Sequence, residues 1–493
     1  MTNETENAQQ QPEGFVPRLK YSIKNTRTRR WLRFGIVAAI YLAWVIWLGN
    51  YWFLLGLPLL FDIYISGFIP FTWWKKSKNA AVRTVMSWVD AIVYALILVY
   101  FIFLFVGQNY QIPSSSLERT LLVGDYLWVN KMIYGPRVPN TPIHFPLVHN
   151  TLPVLNCDSY TDWPENGYRR LKGLRNVELG DIVVFNFPTG DTVASKMEEN
   201  PEYYYILVKK YGWDRVNSDK ETFGEIKYRP VDRRTNFVKR AVGLPGQRLA
   251  IRNDIIYLDG KAQKTPENAQ FRYIVATKSP LLDDMMRDFG ISPDDVAAPE
   301  PEDAAGLAQF FGFPGNSYIY SLPLTRKALD NLKNSNITVG IIKANDRELY
   351  KPEYIFPEGI ADAEEWTLSN YGGKDGILIP KKGMTVPLTE RNWLLYNRII
   401  RNYENHPDAR FANGKVYIDG KPADKYTFAM DYYWMMGDNR DMSQDSRFWG
   451  FVPEDHIVGT PMFVLASFDK DRPLTDGYFR WNRFFTSANP DKK

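Results

Sequence analysis

The residues of this chain whose types could combine into a nucleophile and a base lie in four short segments. The first, Gln111 to Asp125 (QIPSSSLERTLLVGD), carries a serine cluster beside a proline. The second, Gly180 to Pro188 (GDIVVFNFP), is an apolar strand pattern after a turn. The third, Phe237 to Gly246 (FVKRAVGLPG), sets Lys239 inside an apolar run. If Phe237, Val238 and Val242 pack around that lysine, burial disfavours its ammonium form and lowers its pKa from about 10.4 toward neutrality. A neutral amine can then take the proton of a serine hydroxyl. The fourth, Met436 to Pro453 (MGDNRDMSQDSRFWGFVP), is dense in Gly, Asp, Asn, Ser and Arg before an aromatic run, as a hydrogen-bonded loop supporting a site would be. Taken singly, each has an ordinary structural reading. Ser and Pro populate turns, and Lys239-Arg240 reads equally as a surface pair on a strand. The chain has only four histidines, His144, His149, His406 and His456, in no metal-ligand or triad spacing. Cys157 is its single cysteine, so no intrachain disulfide and no cysteine-based zinc site can form.

These segments need elements to hold them. From residue 108 onward, short runs alternate apolar and polar positions: Asp181 to Phe187, Asn236 to Val242, Asp254 to Leu258 and Lys415 to Ile418. Turn signals bound them, among them two Asp-Gly pairs, Asp259-Gly260 and Asp419-Gly420, which predict tight hairpins. The stretches from Asn253 and from Asn413 echo each other (NDIIYLDGK and NGKVYIDGK), two hairpins of one design rather than a solenoid. The fold class expected is a mainly β soluble domain, formed by 108–261 and 413–493, interrupted by an inserted α+β cap or accessory domain at 262–412. The insert has an Asp-, Pro- and Met-rich stretch from Asp283 to Asp303, and helices are predicted near Leu324 to Lys333 and Leu388 to Tyr403. Smaller insertions are predicted at about 140–176 and 189–232.

The 493 residues carry 60 basic and 56 acidic side chains, too balanced a charge to suggest nucleic acid as a partner. Aromatics reach 15%, which fits aromatic cores or contact with a membrane interface. After a polar start comes a basic tail, 1–30, with its charges between Arg18 and Arg30. An almost continuous apolar region follows. Its length predicts about three transmembrane α-helices within 31–107, at about 31–48, 51–72 and 85–107, with the first turn at Gly49-Asn50. Asp62 falls inside the second, where it would face protein or an interface. The basic tail and the cluster Lys75, Lys76, Lys78 and Arg83 both fall at cytoplasmic ends if there are three spans, which puts everything after Gly107 on the outer face; a two-span alternative, with 31–71 as a re-entrant hairpin, gives the same outcome only if the parity holds.

Together, and in this order, the four segments resemble the boxes of type I signal peptidases (leader peptidases), over the last span and about 100 scattered residues. The resemblance implies a signal-peptidase-like β fold in a bacterial cytoplasmic membrane. It also implies a serine endopeptidase whose Ser-Lys dyad replaces a Ser-His-Asp triad, consistent with the scarcity of histidine. By position, Ser116 matches the nucleophile and Lys239 the general base. Ser114 matches the hydroxyl that completes the oxyanion hole with the Ser116 N–H. Ser443 matches the serine that orients the lysine, and Asp445 with Arg447 the ion pair that steadies the site. Asp438, Asn439 and Arg440 are assigned to loop structure. Ile112, Leu117, Leu121, Leu127, Phe237 and Val238 match the walls of pockets for small side chains at −1 and −3 of a signal peptide. The implied partners are signal-bearing preproteins, the lipid bilayer and the secretion translocon, and neither metal nor other cofactor is required. Two departures stand out. Arg119 occupies the position of a family proline, and the inserts and three spans exceed the commoner forms.

A catalytically silent, membrane-anchored homologue acting as a binding protein is the alternative; the presence of Ser116, Lys239, Ser443 and Asp445 together speaks against it. Another Ser-Lys protease, of the self-cleaving repressor kind or a pilin-processing relative, is a second alternative; a repressor would carry a DNA-binding module that this sequence lacks.

Overall fold

The computed structural model describes residues 15–49, 51–145, 147–155, 157–197, 204–292, 296–345, 354–360 and 366–492. They divide into two compact units, Met1–Phe101 and Ile102–Lys493.

In the first unit a 21-residue helix, Thr28–Leu48, ends at Gly49, whose positive φ of 66° lets its N–H reach back to Val45 O. The turn expected at Gly49-Asn50 begins there; Asn50 itself, like residues 1–14 of the tail, lies outside the described residues. A 26-residue apolar helix spans Ala80–Phe105. These two are long and apolar enough to cross a bilayer. The expectation of three spans is corrected here. The stretch expected at 51–72 is not one helix but a 3₁₀ turn, Tyr51–Leu55, an α segment, Gly56–Phe61, and a π turn, Asp62–Ser66. Asp62 ends it: its carboxylate accepts from Ser66 Oγ at 2.5 Å, Phe68 N at 2.7 Å and Ile69 N at 3.0 Å. An apolar count does not register one side chain that folds the chain around itself. The broken segment runs back beside the first helix, with Phe61 edge-on to Trp31 and Phe34. At its end Ser66 O accepts from Ser22 Oγ at 3.1 Å. The chain therefore leaves Ser66 near the junction of the helices Phe15–Asn25 and Thr28–Leu48, where Arg27, Arg29 and Arg30 lie.

In the second unit seven antiparallel strands form one sheet: β1 (Gly107–Gln111), β2 (Asp125–Asn130), β3 (Ile182–Asn186), β4 (Asn236–Gly243), β5 (Tyr432–Met436), β6 (Val452–Pro453) and β7 (Ile457–Ser467), in the order β1-β2-β7-β3-β4-β5-β6. The mainly β reading holds. Two register shifts between β2 and β7 and one between β4 and β5 curl the sheet, since each extra residue bends its strand. All five residues of β3 are buried, because both faces of the sheet are covered. Alternate side chains feed two cores. Ile182 and Val184 pack with Ile112, Leu117, Leu121, Leu127 and Val129, while Val183 and Phe185 pack with Phe187, Ala241, Met435 and Trp449.

Within the accessory stretch, Gln270–Thr277, Tyr318–Thr325 and Thr338–Lys343 form a three-stranded sheet. Helices Asp283–Asp288 and Arg326–Lys333 cover it over a core that includes Val275, Leu281, Met286, Leu322 and Leu332. The boundary we propose for the accessory region, 262–412, also encloses Trp366, Tyr371, Leu395 and Ile400, which share a core with Leu249, Val416, Trp434 and Phe451. Residues 293–295, 346–353 and 361–365 of that region, and 198–203 of the smaller insertion, lie outside the described residues.

Candidate active site

Lys239 sits mid-strand in β4, directly opposite Val183 of β3. Its neighbours two residues away on the same face are Phe237 and Ala241, so the strand's period of two directs it among apolar groups. Its side chain is 3% exposed, and Nζ lies 5.6 Å from the centre of the Phe237 ring. Burial lowers the pKa of the amine to about 8; the charges of Asp445 and Asp438 oppose that shift, and Arg447 adds to it.

Ser116 comes from a different part of the chain. After β1, Ser114 is extended and Ser115–Leu117 closes one 3₁₀ turn, with Glu118 N donating to Ser115 O at 2.8 Å. Leu117 and Leu121 anchor the turn in the core below. Ser116 is 8% exposed, and Lys239 Nζ donates to its Oγ at 2.6 Å. Ser114 Oγ lies 3.5 Å from Ser116 Oγ and its side chain is exposed, at the mouth of the site.

The 437–447 loop grips this turn from behind. Asn439 N donates to Ser116 O at 3.1 Å and Asn439 Nδ2 to Ser115 O at 3.3 Å. Gly437 permits the approach: a Cβ there would stand 2.5 Å from Ser116 O and 2.3 Å from Ser443 Oγ, closer than any side chain tolerates. Asp445 holds Arg447 through two bonds, from Nε at 2.9 Å and Nη2 at 2.8 Å, and also accepts from Gly437 N at 3.2 Å. Both residues are buried. The hydrogen bond expected from Ser443 to Lys239 is not formed. Ser443 Oγ is buried beside Gly437 with no hydrogen-bond partner among the described residues.

Of the six expected pocket residues, Ile112, Leu117, Leu121 and Leu127 join one core and Val238 packs against it. Phe237 packs against the other. Leu121 and Leu127 are fully enclosed.

Sequence reasoning missed one part of the construction. Arg240 points to the opposite face of β4 from Lys239. There Asp438 accepts from its Nε at 2.8 Å and its Nη2 at 2.7 Å. Asp438 also accepts from Thr120 Oγ1 at 2.7 Å, which ties the end of the serine turn to β4. The sequence reading assigns Asp438 to loop structure alone. The available signal was Arg240 itself: a buried guanidinium needs a carboxylate partner. A cavity of about 600 Å³ opens beside Arg240, Arg440 and Asp491, and neither Ser116 nor Lys239 lines it.

Comparison with known proteins gives the family of the chain. A family model described as signal peptidase, peptidase S26, matches residues 85–292 and 421–466, together more than half of the chain. A protein named signal peptidase I from Haemophilus influenzae is 37% identical over 100 residues, covering 20% of this chain and 28% of that protein. Signal peptidase I from Buchnera aphidicola subsp. Acyrthosiphon pisum is 24% identical over 383 residues, 77% of this chain and 74% of that protein. The protein of the same name from Buchnera aphidicola subsp. Baizongia pistaciae is 22% identical over 406 residues, 80% and 81% of the two chains. The chain belongs to the type I signal peptidase family, peptidase S26.

Proposed function

We propose that this protein is a membrane-anchored serine endopeptidase that removes signal peptides from exported preproteins after small residues at −1 and −3. The observation that carries the reading is the buried 2.6 Å contact between Lys239 Nζ and Ser116 Oγ. With its pKa lowered to about 8, Lys239 is neutral in a minor but usable fraction of molecules near pH 7 and in most of them above pH 8, and the Ser116 hydroxyl can then donate to the neutral amine. Ser116 Oγ attacks the scissile carbonyl as Lys239 takes the hydroxyl proton. The Ser116 N–H and the Ser114 hydroxyl stabilise the oxyanion, an effect worth about 3 kcal/mol per donor. Lys239 returns the proton to the leaving amine. Water, deprotonated by the same lysine, then releases the signal peptide from Ser116. Asp445 and Arg447 keep the supporting loop in place.

The anchoring part of the reading is supported by the two long apolar helices. Its orientation is supported by the basic clusters: with Arg27–Arg30 and Lys75–Lys78 on the cytoplasmic side, the helix Ala80–Phe105 carries the peptidase domain to the outer face of a bacterial cytoplasmic membrane. The partners are then signal-bearing preproteins and the bilayer, with the secretion translocon as the source of substrate.

The test is direct. Detergent-solubilised protein is incubated with a signal-bearing precursor and the cut is mapped by mass spectrometry. Cleavage after a small residue, abolished in Ser116→Ala, is the expected result. A precursor left whole, or one cut equally well by Ser116→Ala, overturns the reading.

A further inference from the structure

Arg119 is the one charged residue of the serine turn left free to meet solvent. It adopts φ 69°, a left-handed conformation that costs a side-chain-bearing residue roughly 1–2 kcal/mol. Its neighbours fix it there. Glu118 and Thr120 are both buried, and Thr120 is tied to Asp438. A turn pinned on both sides throws the intervening side chain outward, and Arg119 is exposed. Its guanidinium reaches the accessory lobe, where a Cβ placed on Gly290 would lie 3.5 Å from Nη2. No ion pair engages it among the described residues, although acids are close by in the lobe. Asp283, Asp284 and Asp288 are exposed on the helix just before Gly290, and Asp284 is paired with Arg287 at 3.3 Å. Arg119 is three residues from Ser116, at most about 10 Å of extended chain. A peptide bound at Ser116 therefore passes within reach of an unpaired guanidinium, the side chain best shaped to hold a carboxylate.

We propose that Arg119, backed by the Phe289–Ile291 turn of the accessory lobe, is a specificity-determining residue that binds an acidic side chain of the substrate polypeptide close to the scissile bond. The proposal rests on the peptidase reading. It explains why a cation stands where proline would leave the cleft neutral, and it assigns one edge of the accessory lobe to substrate selection.

The experiment uses full-length protein in detergent and signal-bearing peptides that differ only in two residues placed at successive positions on either side of the cut: Asp-Asp, Ala-Ala or Lys-Lys. Affinities are measured by fluorescence anisotropy with Ser116→Ala, and kcat/KM with the active enzyme. At its most responsive position, the Asp-Asp peptide should bind about five- to tenfold tighter than Lys-Lys at low salt, the range of an exposed attraction plus an exposed repulsion. The difference should narrow in 0.5 M salt, vanish in Arg119→Ala and reverse in Arg119→Glu. It should appear in KM with kcat little changed. Equal affinities at every position, or a preference that survives in Arg119→Ala, overturn the proposal. Charge-ordered binding without any cleavage by the wild type would sustain it while overturning the peptidase reading.

Discussion

Lys239 and Arg240 are adjacent on β4 and equally buried, each 3% exposed, yet the two faces of the strand treat them oppositely. On one face Lys239 meets a hydroxyl and an aromatic ring, with no carboxylate in contact among the described residues. Burial prevails and its pKa falls to about 8. On the other face burial also works against Arg240, but hydrogen bonds and charge from Asp438, joined by Asp491, outweigh it and raise its pKa. Burial alone therefore does not decide the protonation of a cation; the group placed opposite does. One face keeps a base that can lose its proton, and the other keeps a permanent cation that holds the serine turn.

The comparison is most severely tested by removing the reactive face. Ser116→Ala and Lys239→Met should each lower kcat by about 10⁴-fold or more, as expected for members of one nucleophile-base unit. The double variant should be little worse than either single one. Comparable turnover by either single variant would break the proposed asymmetry.

Next in size is the structural face. Asp438→Ala leaves Arg240 buried with the partly exposed Asp491 as its remaining carboxylate and frees Thr120, so full-length protein in detergent should unfold about 3–5 kcal/mol more easily. A loss below about 1 kcal/mol, read by denaturant titration, would mean that the buried pair is replaceable.

Lys239→Met should move stability the other way. An unfolded lysine keeps its proton up to about 10.5, whereas the folded one gives it up near 8. At neutral pH the native lysine thus carries a penalty of up to about 3 kcal/mol. That penalty fades as pH rises from about 8 toward 10.5. Methionine removes it, so the variant should be the more stable protein at pH 7, and its advantage should shrink across that window. A gain independent of pH would point to packing instead.

The rate should follow the same ionisation. Because the neutral amine is the active form, kcat/KM should rise about tenfold per pH unit and level off near pH 8. A rising limb centred near 10.5 would mean that Lys239 is solvated during turnover.

The smallest effect belongs to Asp491. Its side chain is 29% exposed and pairs with Arg240 at 3.0 Å. Asp491→Asn should cost no more than about 1 kcal/mol in stability and leave the rate nearly unchanged.

Local features were legible in the sequence. Both Asp-Gly hairpins form as two-residue turns with positive φ at each position, 49° and 77° at Asp259 and Gly260, 50° and 75° at Asp419 and Gly420. The two echoed stretches become two meanders of one design. The helices expected near 324–333 and 388–403 begin behind Thr325 and Thr389, whose hydroxyls accept from Ala328 N and Asn392 N. The second apolar stretch reads as one span in the sequence because Asp62 acts on backbone groups six and seven residues ahead, which a hydropathy window averages away. Of the site, the four segments and their order could be read. Thr120, Arg240 and Asp438 as a single clamp could not, since its members are up to 318 residues apart.

The sequence by itself determined which groups are available: a hydroxyl in a tight turn, an amine in an apolar strand, and a loop whose glycine lets backbones approach. Their local geometry follows from turn preferences and the period of a strand, which act over a few residues. Only the tertiary structure decided that Ser116 and Lys239 meet, that Ser443 Oγ makes no hydrogen bond to the amine, and that Arg119 is thrust out beside the accessory lobe. Those outcomes depend on the register of paired strands and on the dryness of the space between them, which arise only when distant parts of the chain pack together.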